Sequence, residues 1–128
     1  MRVWLYARLS NDDDREMNSL LNQREICQAF AEQHGYIIVG SSTDDNISGM
    51  SFDRRGLDEL TAAVDADMID AVIVKDLSRL GRHRTQTTLF IDYLREHQVR
   101  VISATEGVDT FRDEDDLIIG VRGLMNDY

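Results

Sequence analysis

Four short apolar runs lie along this chain, and the stretches between them carry apolar residues at helical spacing. The runs cover residues 2–9, 36–40, 71–75 and 99–103. Ala71-Val-Ile-Val74 contains no polar position, as in a parallel strand covered on both faces. Leu20, Leu21, Cys27, Phe30 and Ala31 mark a helix over about residues 18–34 that Gly35 stops. Leu57, Leu60, Ala63 and Val64 mark a second helix, and Leu89, Phe90, Tyr93 and Leu94 a third. Val108 belongs to a short fifth strand, and a last helix is expected from Asp113 to about Asn126. Strands joined through helices predict an α/β fold, a mainly parallel sheet of four to five strands flanked by helices. Such sheets gather their chemistry in the loops at the strands' carboxyl ends. Those loops are residues 9–17, 41–52, 76–84 and 104–112.

The 128 residues are one domain's worth, and no proline-rich or low-complexity stretch divides them. Hydrophobic residues make up 42% and charged residues 30%, an ordinary globular composition with a cytoplasmic location as the expectation. No stretch reads as a membrane span or a signal peptide. The single cysteine, Cys27, excludes an internal disulfide and a cysteine-rich metal site.

A net charge of −10 argues against a nonspecific nucleic-acid binder. The charge is unevenly spread. Carboxylates gather at Asp12-Asp13-Asp14 and Asp113-Glu-Asp-Asp116, and cations at Arg54-Arg55 and from Lys75 to Arg84. Thirteen of the fourteen basic residues are arginine, the residue suited to bidentate phosphate contacts. For arginines outside the named loops, plain composition explains the bias as well.

Three constellations sit at the expected strand ends. Tyr6, Arg8 and Ser10 alternate along the first strand, so all three can project to one side. An arginine inside an apolar strand needs an anionic partner, either a bound phosphate or a structural carboxylate. The second constellation is Asp45-Asn-Ile-Ser48-Gly49 followed by Asp53-Arg54-Arg55-Gly56-Leu57. Asp53 there is placed to cap a helix and set Arg54 at its positive end, where phosphate is favoured. The third is Lys75-Asp-Leu-Ser-Arg79-Leu-Gly81-Arg82. Its two arginines, three apart, share one face of a helical turn, with Gly81 letting the backbone turn tightly. Read plainly, these are a strand-end serine, a loop with a cap and a solvated basic loop. There is no phosphate-binding loop of the Gly-Lys-Ser/Thr type, no dinucleotide fingerprint and no histidine pair at ligand spacing. His34 and His97 suit helix ends.

Together these residues resemble the catalytic domain of the serine recombinases, the resolvase–invertase family. Tyr6-Ala-Arg8-Leu-Ser10 is similar to its Tyr-x-Arg-x-Ser signature, with the nucleophile last. Gln23 matches the family's active-site glutamine. Asp45 through Gly49 with Arg54 through Leu57 matches its second block, and Arg79-Leu-Gly-Arg82 its third. Ser78 stands where small resolvases usually carry aspartate, and the segment between Ser10 and Gln23 is longer. Both departures point to the large, transposon-type subfamily. The resemblance covers residues 1–128 as one catalytic domain, with the family's long C-terminal helix and DNA-binding region lying beyond it.

The resemblance implies that Ser10 attacks a phosphodiester of double-stranded DNA and forms a 5′-phosphoserine link. Arg8, Arg54, Arg79 and Arg82 would stabilise the transition state, Gln23 would orient the phosphate or Arg8, and Asp45 would orient an arginine. Tyr6 belongs to the same set. No cofactor or metal is implied, and homodimers that become tetramers are expected. Two other readings stand beside it. One is a receiver-like signalling domain phosphorylated at Asp76, which leaves the arginines unexplained. The other is a catalytically silent module for self-association.

Overall fold

The computed structural model describes residues 1–9, 19–45, 54–81 and 84–110. Ser10, Ser48, Gly49, Asp53, Arg82 and the helix expected from Asp113 lie outside the described residues. The elements in chain order are β1 (Arg2–Leu9), α1 (Leu20–Gln33), β2 (Ile37–Asp45), α2 (Arg55–Asp65), β3 (Ala71–Val74), a 3-10 turn (Leu77–Leu80), α3 (Arg84–Glu96), β4 (Arg100–Ser103) and β5 (Val108–Asp109). The sheet has five strands in the order β2-β1-β3-β4-β5, with only β5 antiparallel to its neighbour. This is the expected α/β fold.

Strand parity divides the core into two layers. Val3 and Leu5 of β1 and Ala71 and Ile73 of β3 pack with Cys27 and Ala31 of α1. Tyr6, Val72, Val74 and Val101 face the other way, against Leu60, Ala63 and Val64 of α2 and Ile91 and Leu94 of α3. All four residues of β3 are buried, which accounts for its unbroken apolar run. Leu60 is fully enclosed, and its replacement by alanine would cost about 2–5 kcal/mol.

The helix ends follow one scheme. Ser19 caps α1 by accepting from the Asn22 amide at 3.0 Å. At its other end Gly35 has φ +70°, the Tyr36 amide donates to Ala31 and the Gly35 amide to Glu32. This paired closure satisfies two carbonyls of the last turn. Asp67 (φ 55°) closes α2 and Gln98 (φ 62°) closes α3 with the same pair of bonds. His34 and His97 sit at helix ends as expected, each with Nδ1 against the carbonyl four residues earlier.

The structure departs from the sequence reading in β2. Residues 41–45, expected in a loop, continue the strand and pair with Leu5–Leu9. The ladder partner on β1 supplies backbone hydrogen bonds whatever the side chains, and an edge strand tolerates their polarity.

The chain leaves β1 to one side through β2 and returns to the other side through β3. The carboxyl ends of β1 and β3 therefore lie side by side where the winding direction reverses, the position at which open α/β sheets form a crevice.

Candidate active site

At that crevice lies a pocket of about 320 Å³. Tyr6, Arg8, Asp44, Arg54 and Arg79 line it on the polar side, and Leu57, Leu80, Leu89, Phe90 and Tyr93 among others on the apolar side. Three of the four arginines singled out in the sequence thus share one cavity, although they come from β1, the start of α2 and the 3-10 turn. Arg82 and Ser10 lie outside the described residues. Ser10 directly follows Leu9, the last residue of β1.

Arg8 and Arg79 are nearly fully buried, at 7% and 4% exposure. Arg8 Nη2 donates to the carbonyl oxygens of Ser78 (2.6 Å) and Gly81 (3.1 Å). Arg79 Nη1 donates to the carbonyl oxygen of Arg8 at 2.8 Å. Its Nε and Nη2 reach Asp76 Oδ2 at 3.3 and 3.2 Å. Asp76 also accepts from the Ser78 amide and hydroxyl, so one carboxylate fastens the whole 3-10 turn. That engagement places Asp76 as a partner of Arg79, whereas the receiver-like reading makes it a phosphate acceptor. It also answers the serine at position 78, since a carboxylate two residues earlier lies on Arg79.

The third-block glycine has a different use from the one expected. Gly81 is extended (φ −171°, ψ 158°) rather than tightly turned. A Cβ there would come within 2.9 Å of Gln86 Cβ and the Thr87 amide nitrogen, so glycine permits the close approach of α3.

Gln23 of α1 is fully buried and approaches β1 from the opposite layer. Its Oε1 accepts from the Arg8 amide (3.2 Å) and its Nε2 donates to the Arg8 carbonyl (2.9 Å). Both bonds go to the backbone of Arg8.

The second block is rearranged relative to its sequence reading. Asp45, the motif aspartate, is exposed at the end of β2. Asp44 is the carboxylate that lines the pocket, at 1% exposure. Strand parity is the reason, because Asp44 pairs with Arg8 and Asp45 with Leu9. Asp44 Oδ2 accepts from the Tyr6 hydroxyl at 2.6 Å. Arg54 occupies the N-cap of α2 and makes no side-chain cap bond. The cap comes instead from Asp44, which accepts from the amides of Gly56 (2.7 Å) and Leu57 (2.9 Å). Counting alternate residues from Arg8 across the β1–β2 ladder would have found Asp44, had β2 been read to its full length.

On the apolar wall, Tyr93 donates to Asp65 Oδ1 at 2.5 Å. Burial, with help from that bond, pushes its phenol up to about 12, so it stays neutral near pH 7. Glu106, which the sequence reading did not single out, accepts from the Leu77 amide (2.9 Å) and the Ser103 hydroxyl (2.8 Å) and so ties the β4–β5 turn to the arginine-bearing turn. Among the described residues no group of three or more His, Cys, Asp or Glu is placed to hold a metal ion, and no helix is long and apolar enough to cross a membrane.

Several solved structures are similar to this one. A resolvase family site-specific recombinase from Streptococcus pneumoniae is 28% identical with a TM-score of 0.81, over 99% of this chain and 86% of that one. The N-terminal catalytic domain of TP901-1 integrase superposes with a TM-score of 0.79 over 99% of this chain and 95% of its own, and at 23% identity the likeness is one of fold. The C-terminal catalytic domain of ISC1926 TnpA, an IS607-like serine recombinase, is 25% identical with a TM-score of 0.68, over 98% of this chain and 80% of that one. The family model of the resolvase N-terminal domain matches residues 3–128, nearly the whole length, and the chain therefore belongs to the resolvase family.

Proposed function

We propose that this chain is the catalytic domain of a serine site-specific recombinase that cleaves and rejoins double-stranded DNA through Ser10. The observation that carries the reading is the shared pocket of Arg8, Arg54 and Arg79 beside the end of β1. Arginines up to 71 positions apart in sequence line one pocket, and Arg8 among them stands two residues before Ser10 in the sequence. Such a cluster suits a phosphate, whose oxygens accept paired N–H donors.

In this reading Ser10 Oγ forms a bond to phosphorus while the bond to the 3′-oxygen breaks. The serine loses its proton and the departing 3′-oxygen gains one, so the step is balanced. The product is a phosphoserine ester to the 5′ end, and attack by a 3′-hydroxyl reverses it without a nucleotide cofactor. A weak hydroxyl nucleophile needs the charge that builds on the nonbridging oxygens to be stabilised. Each preorganised donor contributes about 2.7–4 kcal/mol when it acts like an oxyanion-hole group. Arg8, Arg54 and Arg79 take that role, with Arg82 completing the set. Gln23 fixes the backbone of Arg8, and Asp45 orients an arginine once DNA is bound. The net charge of −10 leaves the duplex to be gripped mainly by other parts of a dimeric or tetrameric protein.

The test is denaturing capture of protein–DNA adducts from cells expressing the intact protein. The reading predicts denaturation-resistant adducts with the natural sequence and none with Ser10→Ala, while noncovalent DNA retention is unchanged. Adducts that persist in Ser10→Ala would remove the serine from the mechanism.

A further inference from the structure

We infer that Asp44 is the positioning residue for Arg54, holding the start of α2 so that this guanidinium enters the pocket, and that Tyr6 acts through Asp44. The inference rests on the recombinase reading and adds to it a residue outside the four matched motifs.

Asp44 is buried at the end of β2, and each of its oxygens is engaged. Oδ1 takes the Gly56 amide, while Oδ2 takes the Leu57 amide and the Tyr6 hydroxyl. Two of the amides that the first turn of any helix leaves unpaired are thus satisfied from a neighbouring strand. The negative charge also sits at the positive end of α2.

Gly56 shows how closely the helix is drawn in. A Cβ at that position would lie 2.5 Å from the Thr43 carbonyl oxygen and 3.0 Å from Asp44 Oδ1. Arg54 precedes Gly56 by two residues, so the bonds that dock Gly56 and Leu57 also set where the Arg54 backbone stands. Arg54 itself is exposed and has no cap bond of its own, which leaves its placement to the helix that follows. A carboxylate filled by three donors works through this helix, not on the substrate.

The experiment is a double-mutant cycle on the rate of covalent adduct formation, using a duplex recovered in the capture described above. Arg54→Ala is expected to slow the intact protein about 100-fold or more, the loss seen for one oxyanion-type donor. Asp44→Asn is expected to slow it at least about 10-fold. The double variant should match Arg54→Ala within about 2-fold, because residues acting in series are not additive. Thermal unfolding of each variant checks the fold. Should Asp44→Asn fail to fold, Tyr6→Phe replaces it, since it removes one donor and keeps both helix bonds. Losses that multiply, or an Asp44→Asn variant as fast as the natural sequence, overturn the inference and leave the recombinase reading standing. Absence of any adduct with the natural sequence overturns both.

Discussion

Arg79 holds the backbone of Arg8, and Arg8 holds the backbone that flanks Arg79. Arg79 donates to the carbonyl of Arg8, while Arg8 donates to the carbonyls of Ser78 and Gly81 on either side of Arg79. The end of β1 and the turn after β3 are clasped by the two residues proposed to grip a phosphate, so the same side chains hold the fold together at this point. Arg79→Ala should cost about 2–4 kcal/mol in denaturant unfolding, because it also strips Asp76 of its partner. Arg79→Lys should recover part of that stability and little of the cleavage rate, since an ammonium cannot reproduce the forked contacts. Equal rates for lysine and arginine would show that charge alone matters at this position.

Gly56→Ala should destabilise the protein by about 1–3 kcal/mol or more. The added methyl meets backbone, which has no flexible end to move aside. Comparison of urea midpoints checks this, and an unchanged midpoint would mean that α2 stands farther from β2.

Gln98→Gly should stabilise the protein by about 0.5–1 kcal/mol. Gln98 is held at φ 62°, a left-handed conformation that glycine adopts without penalty. Asp67→Gly should gain less, because aspartate tolerates that region better. Thermal denaturation of both variants separates the two expectations.

Burial raises the Cys27 thiol from an ordinary value near 9 to about 12. Between those values the unfolded chain has lost a proton that the folded chain keeps. Stability should therefore be intact below about pH 8.5 and fall as pH rises toward 12, by at most about 1.4 kcal/mol per pH unit. Cys27→Ala should flatten that slope in alkaline unfolding curves. An equal slope in both proteins would place the thiol in contact with water.

The layering of the fold was legible because apolar periodicity reports burial directly. The unbroken run at β3 and the spacing of Leu60, Ala63 and Val64 translate into the two faces of one sheet. The end of β2 was not legible, because Ser41–Asp45 are held by pairing to β1 and carry no apolar signal of their own. Asp44 as a pocket-lining carboxylate was hidden for the same reason, since motif spacing points to Asp45 while the pairing with Arg8 turns Asp44 inward. The arginines were legible as residue types at strand ends. Their mutual grip was not, because Arg8 and Arg79 bind carbonyl oxygens, which any sequence can offer. The same holds for Gly81 and Gly56, whose need for a missing side chain appears only once α3 and β2 are packed against them.

The most direct measurement is mass spectrometry of the captured adduct after nuclease and protease trimming. A nucleotide joined through its 5′-phosphate to the peptide carrying Ser10 is the predicted result. A 3′-phosphate linkage, or a nucleotide carried by a tyrosine or by a serine distant from the arginine pocket, would contradict it.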